Sequence, residues 1–234
     1  MRMDGRNAFA TALQLILGLD PNFLEIVALS LRLALASVLV SAVLGLPLGA
    51  WLALARFPGR DAVVVLFNAL MGLPPVVAGL AVYMLLSRSG PLGGFGLLFT
   101  PAAMVLAQTV LIVPIVASLA RQTVEDLAAE YDEQLRSLGS STLRSVPTLL
   151  WDGRFSLLTA VLAGFGRATA EVGAILIVGG NIAHVTRTMT TAIALETSKG
   201  DLALALGLGL VLIALTLLLN AGAFLAGRLA QRAG

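Results

Sequence analysis

Long apolar stretches alternate with short polar ones along the chain, and five of the apolar stretches approach the length at which a helix crosses a bilayer, about 20 residues. The first covers residues 26–55, broken only by Arg32 near one end, where a long stem lets the guanidinium reach the interface. Arg56, Phe57, Pro58, Gly59 and Arg60 form a turn, and the second stretch covers residues 62–86. Within it Gly72-Leu73-Pro74-Pro75 removes two amide donors in succession, which predicts a kink or break at mid-depth. A break at that depth is tolerated only where protein or a polar cavity covers the freed carbonyls. The third stretch, residues 101–119, contains Pro114; the fourth covers 157–178 and the fifth 202–225. A glycine-rich turn at 89–96 and a polar loop at 179–201 separate them. At the N-terminus, residues 8–19 are weakly amphipathic and too short to span, which predicts an interfacial helix within a segment 1–22 ahead of a membrane domain at 23–228. A sixth, short span there is the alternative.

The charged residues gather in one place. Residues 121–154 hold Glu125, Asp126, Glu130, Asp132, Glu133 and Asp152, nearly half the acidic residues of the chain, together with Arg136 and Arg144. Their spacing is helical: Val124, Leu127, Ala128, Tyr131, Leu135 and Leu138 form one apolar stripe, and the charges fall opposite. Gly139 stops that helix, and Ser140 or Ser141 caps a second one through Leu143, Val146 and Leu149. The predicted helix–turn–helix either packs on its own bundle or inserts into a partner's groove, and periodicity leaves both open.

Composition agrees with the pattern. Of the residues 58% are hydrophobic and only 12% charged, and mean hydropathy is +0.96. A soluble domain carries roughly a quarter charged residues, so a soluble enzyme is excluded and an all-α polytopic membrane protein is expected. With no cysteine and one histidine, neither a sulfur nor an imidazole metal cluster is available. The net charge of +2 gives no nucleic-acid footprint. Arginines instead indicate orientation. With residues 121–154 inside, the inner set is Arg56, Arg60, Arg121, Arg136, Arg144, Arg154, Arg228 and Arg232, against Arg2, Arg6, Arg88, Arg187 and Lys199 outside. The positive-inside rule then predicts an outer N-terminus, five spans and a cytoplasmic C-terminus.

Few residues inside the apolar stretches carry chemistry. Arg167 and Glu171 stand four apart in the fourth stretch, which predicts that they share a helix face and can pair. Ionisable groups at that depth face a bundle interior or cavity, so the pair is read as a gate or as a static bridge. Ala160, Gly164 and Ala168, then Gly166, Ala170 and Ala174, recur every four residues and permit close helix approach, within one chain or across a dimer seam. Pro74, Pro75, Gln108 and Thr109 are candidate weak donor or gate positions. His184 and Arg187 fall in the outer loop. The chain has no glycine-rich lysine loop of the kind that cradles nucleotide phosphates.

Four motifs resemble one family. Glu133-Gln134-Leu135-Arg136-Ser137-Leu138-Gly139 resembles the cytoplasmic EAA signature of ATP-binding-cassette importer permeases, a glutamate six positions ahead of a glycine. The usual alanine pair is Gln134-Leu135 here, and Leu149-Leu150-Trp151-Asp152 stands in place of the apolar-x-Leu-Pro end. Residues 73–79, 166–174 and Gly180-Asn181-Ile182 resemble the corresponding motifs of molybdate and tungstate permeases in the family's order, over residues 24–219. Residues 186–201 are more similar to tungstate than to molybdate permeases.

The resemblance implies a type I importer fold and a permease that moves an oxyanion inward by alternating access. Tungstate is the first candidate; molybdate, sulfate or another small solute is the alternative within the family, and an ion-driven secondary carrier the alternative outside it. The chain would be no enzyme and would bind no cofactor, with ATP used by a partner. The implied partners are a second permease copy in a homodimer, two cytoplasmic ATPase subunits, an extracytoplasmic oxyanion-binding protein and the lipid bilayer. ATPase coupling would fall to Glu133, Arg136, Ser137, Leu138 and Gly139 in a loop at 121–156, gating to Arg167, Glu171, Pro74 and Pro75, and binding-protein docking to Asn181, His184 and Arg187.

Overall fold

A computed structural model describes residues 11–14, 16–18, 20–131 and 145–233, with the side chains of 223, 224 and 226–233 left aside. Helices account for most of this, and no strand occurs among the described residues. They are α1 (Pro21–Leu54), α2 (Arg60–Met71), α3 (Pro75–Leu86), α4 (Pro101–Glu130), α5 (Val146–Asp152), α6 (Arg154–Ala170), α7 (Gly173–Gly179), α8 (Met189–Lys199) and α9 (Leu202–Ala233). Three of them, α1, α4 and α9 through Gly222, are long and apolar enough to cross a membrane. The bent pairs α2–α3 and α6–α7 bring the number to five if each is one span. That agrees with the five apolar stretches.

Local chemistry explains where the helices begin. Asp20 Oδ1 accepts from the Phe23 amide at 3.0 Å, and Pro21 sits at the first helical position, so α1 starts five residues before its apolar stretch. Asp201 does the same for α9 through the Leu204 amide at 3.2 Å. At the other end of α4 no glycine or proline intervenes after Ala120, so the span and the amphipathic segment beyond it are one uninterrupted helix to Glu130. The expected helix–turn–helix is therefore not detached from the third span on its first side. Its second helix is α5, which carries Pro147 in its first turn after Ser145; the expected caps Ser140 and Ser141 lie outside the described residues. The polar loop at 179–201 also differs from expectation, because residues 189–199 form α8.

The chain divides into two compact units. The first comprises Met1–Ala36, Pro75–Gln108 and Thr169–Gly222. Its core is Phe23, Met189, Ala192 and Leu208, with Ile16, Ile26, Val27 and Ile193 against it. Ala12 of the N-terminal segment is fully buried and approaches Gly207 of α9. In the same unit α3 lies directly on α7: a Cβ at Gly79 would stand 2.7 Å from the Ala174 Cα, so the two backbones meet without an intervening side chain.

The second unit comprises Ser37–Pro74, Thr109–Ala168 and Ala223–Gly234. Here α1 meets α4 just as closely, since a Cβ at Gly49 would fall 2.3 Å from the Ala117 carbonyl oxygen. Ala50, Val124 and Leu149 are buried together, with Leu127, Ala128, Tyr131 and Val146 around them. The apolar stripe of the charged segment thus packs on its own chain through Val124–Tyr131. Gly164 of α6 faces Ile112 and Val116, so the stripe Ala160–Gly164–Ala168 serves packing within the chain. Large apolar side chains such as Leu39, Val43, Leu66 and Trp51 remain exposed, as expected where lipid is the solvent.

Candidate functional site

In the first unit the site is built around two helix starts and one buried carboxylate. The second span breaks where predicted: α2 closes through the Gly72 amide on the Ala69 carbonyl and the Leu73 amide on that of Leu70, both at 3.1 Å, and α3 begins at Pro75. Pro74 is exposed and Pro75 half-buried. The fourth span also breaks, without a proline. α6 ends at Ala170 and α7 begins at Gly173, so Arg167 and Glu171 do not lie on one continuous helix as their spacing implied. Arg167 is half-buried near the end of α6.

Glu171 occupies the break. Only 3% exposed, it accepts the Ala174 amide at 3.0 Å through Oε1, which places a carboxyl group over the first turn of α7. Its backbone carbonyl accepts the Thr190 hydroxyl at 2.8 Å. Thr190 belongs to the first turn of α8, where Thr188 and Thr191 cap reciprocally: the Thr188 amide donates to Thr191 Oγ1 at 3.0 Å and the Thr191 amide to Thr188 Oγ1 at 3.4 Å. The Met189 amide donates to Ser30 Oγ at 2.7 Å, so this corner is also fastened to α1. One short stretch of hydroxyls and a carboxyl group therefore joins the starts of α7 and α8 to the first span.

The loop between α7 and α8 carries the three residues expected to dock a partner. Asn181 and His184 adopt left-handed backbone conformations, with φ of 50° and 61°. Thr186 holds the loop closed, donating to the Gly179 carbonyl at 2.6 Å and accepting the Ile182 amide at 2.9 Å. Asn181 turns inward and donates from Nδ2 to the Thr191 carbonyl at 3.4 Å. Arg187 is half-buried. His184 is the exposed member, with Nδ1 2.7 Å from Glu25 Oε2.

In the second unit a charged joint lies just before the segment expected to couple to an ATPase. Arg60, the first residue of α2, reaches back to α1, donating from Nε to the Leu52 carbonyl at 2.8 Å and from Nη2 to that of Ala53 at 3.4 Å. The same guanidinium pairs with Glu125 of α4, and Arg121 pairs with the other oxygen of that carboxylate. The spacing of Arg121 and Glu125 signals their contact in advance; nothing local in the sequence joins either to Arg60. Farther along, Arg154 stacks on Trp151 at 4.9 Å and Phe155 at 4.7 Å from the ring centroids. Glu133, Arg136, Ser137, Leu138 and Gly139 lie outside the described residues.

Three helices long and apolar enough to cross a bilayer, with two bent pairs that bring the crossings to five if each is one span, define a multi-pass membrane protein. Residues 45–233 match the family described as the inner membrane component of binding-protein-dependent transport systems. Among similar proteins, the "Probable anion ABC transporter permease protein" of Haloferax volcanii is 41% identical over 76% of this chain and 79% of its own length. The tungstate uptake system permease protein TupB of Peptoclostridium acidaminophilum is 35% identical over 82% of this chain and 85% of its own. TupB of Campylobacter jejuni is 45% identical over 57% of this chain and 56% of its own. The chain belongs to the binding-protein-dependent transport family of ABC importer permeases, with the type I importer fold. It is a membrane transport component and not an enzyme.

Proposed function

We propose that this chain is the permease subunit that carries tungstate into the cytoplasm by alternating access, driven by ATP hydrolysed on separate subunits. The observation that supports this reading best is the similarity to two tungstate uptake permeases, at 45% and 35% identity. In the assembly two copies of the chain form a homodimer, and each receives one ATPase on the loop at 121–156 through Glu133, Arg136, Ser137, Leu138 and Gly139. An oxyanion-binding protein docks on the opposite side at Asn181, His184 and Arg187. The N-terminus faces outward and the C-terminus the cytoplasm. Pro74, Pro75, Arg167 and Glu171 are the gate candidates, since each lies at or beside a break in a span. A weakly held oxyanion suits such a path, because a deep binding well would slow its release.

A sulfate permease at 31% identity and a molybdenum permease at 30% make those oxyanions the second reading. The discriminating experiment is uptake in cells lacking their own oxyanion importers and expressing this chain with its cognate ATPase and binding protein. Tungstate is expected to accumulate in an ATP-dependent way and to be displaced poorly by equimolar molybdate or sulfate. Equal displacement by molybdate would overturn the assignment to tungstate. Glu133→Arg or Gly139→Trp is expected to lower uptake about tenfold, a typical coupling magnitude, without preventing insertion. Normal uptake in both variants would remove the coupling role from this loop.

A further inference from the structure

The Arg60–Glu125–Arg121 cluster joins three elements at one point. α4 is continuous from Pro101 to Glu130, so the segment that begins after Tyr131 hangs from a helix that is itself a membrane crossing. Glu125 lies one and a half turns before the end of that helix, and its two oxygens are taken by different arginines. Arg121 is on the same helix and fixes the carboxylate from below. Arg60 is not: it starts α2 and simultaneously occupies the Leu52 and Ala53 carbonyls, which the last turn of α1 leaves without intrahelical partners. The carboxylate is therefore the only charge that ties α4 to the α1–α2 turn among the described contacts. Nearby, Val124 packs on Ala50 and Leu149, so one face of α4 is held by apolar contact and the next by charge.

We infer that Glu125 is a positioning residue for energy coupling: it transmits displacement of the ATPase-docking segment from α4 to the ends of α1 and α2 through Arg60. This rests on the functional reading above, in which an ATPase engages the loop at 121–156. Partial exposure suits the role. The side chains of Arg60, Glu125 and Arg121 are 25%, 33% and 12% exposed, so water can replace either pairing while the joint moves. A purely structural ion pair at this site would affect folding alone; a joint would alter how much transport each hydrolysis event yields.

The test uses the full complex of this chain with its ATPase and binding protein in proteoliposomes, with tungstate as the transported probe. Glu125→Gln is expected to retain the ATPase on purification and to raise ATP consumed per tungstate imported about two- to fivefold, the range open to partly exposed charge pairs. Arg121→Lys, which keeps a cation beside the carboxylate, is expected to stay near the unmodified ratio. An unchanged ratio in both Glu125→Gln and Glu125→Ala overturns the inference, as does a Glu125→Gln complex that loses thermal stability in proportion to its transport. If the unmodified chain fails to retain an ATPase, the functional reading falls and the joint falls with it. If the ATPase is retained but the variants stay coupled, only the joint falls.

Discussion

Gly79 and Gly166 look alike as residues, since each is a glycine within an apolar stretch, yet their surroundings differ. A Cβ at Gly79 would meet the Ala174 backbone at 2.7 Å, whereas one at Gly166 would meet nothing within 4 Å. Gly79→Val should force α3 from α7 and cost about 1–3 kcal/mol, the usual range for overpacking, while Gly166→Ala should leave stability unchanged or slightly raised. Thermal unfolding of the purified protein in detergent checks both, and equal melting temperatures for the two variants would contradict the close contact. Spacing alone grouped Gly166 with Ala170 and Ala174 as one stripe. The break after Ala170 splits that stripe, sending Ala174 against Gly79 and leaving Gly166 open. The partner of a small residue is a tertiary fact, and repeat spacing does not carry it.

Elements show a similar division. Glu171→Ala should remove the side-chain acceptor from the Ala174 amide and expose the start of α7, with a cap worth about 1 kcal/mol. Hydrogen exchange at the Ala174 amide should then quicken about fivefold, and Glu171→Gln, which keeps a carbonyl oxygen, should restore part of the protection. Exchange unchanged in Glu171→Ala would mean that the amide is protected by burial instead. The break that Glu171 fills was not readable beforehand, because Glu171-Val172-Gly173 contains no proline and leads straight on into the apolar run at 174–178. The break at Pro74-Pro75 was readable, since two missing donors leave no helical alternative. α8 was hidden for another reason. Met189-Thr190-Thr191 reads as polar loop by composition, and its cap uses Thr191 where a glutamate or glutamine is the usual signature. Span positions, the start of the charged helical segment and the family were thus legible from periodicity, proline and motif order. The Arg60–Glu125 contact was not, because its partners stand 65 residues apart with no local pattern joining them.

At the scale of the whole molecule, topology depends on whether the number of crossings is odd or even. Five crossings, the number reached if each bent pair is one span, would put the two termini on opposite sides, and the proposed choice of side rests on arginine placement. It also rests on α6 and α7 forming one bent crossing, because 17 and 7 residues are each short of a span. Were that pair re-entrant, the loop at 180–188 would return to the side of α5. The absence of cysteine makes the distinction directly measurable, since any introduced thiol is the only one in the chain. Asp61, with a side chain 97% exposed, and Asp152, also exposed, would report the inner side in the proposed orientation. His184 and Ser198 are exposed and would report the outer side in the proposed orientation. His184→Cys removes only an exposed pairing with Glu25, worth little to stability. In intact cells a membrane-impermeant maleimide should modify His184→Cys and Ser198→Cys, and should reach Asp61→Cys and Asp152→Cys only after permeabilisation. The reverse pattern would invert the orientation and put the loop at 121–156 outside, which would overturn its proposed ATPase-docking role. Labelling of Asp152→Cys and His184→Cys from the same side would instead make α6–α7 re-entrant, reduce the crossings to four and bring both termini to one face.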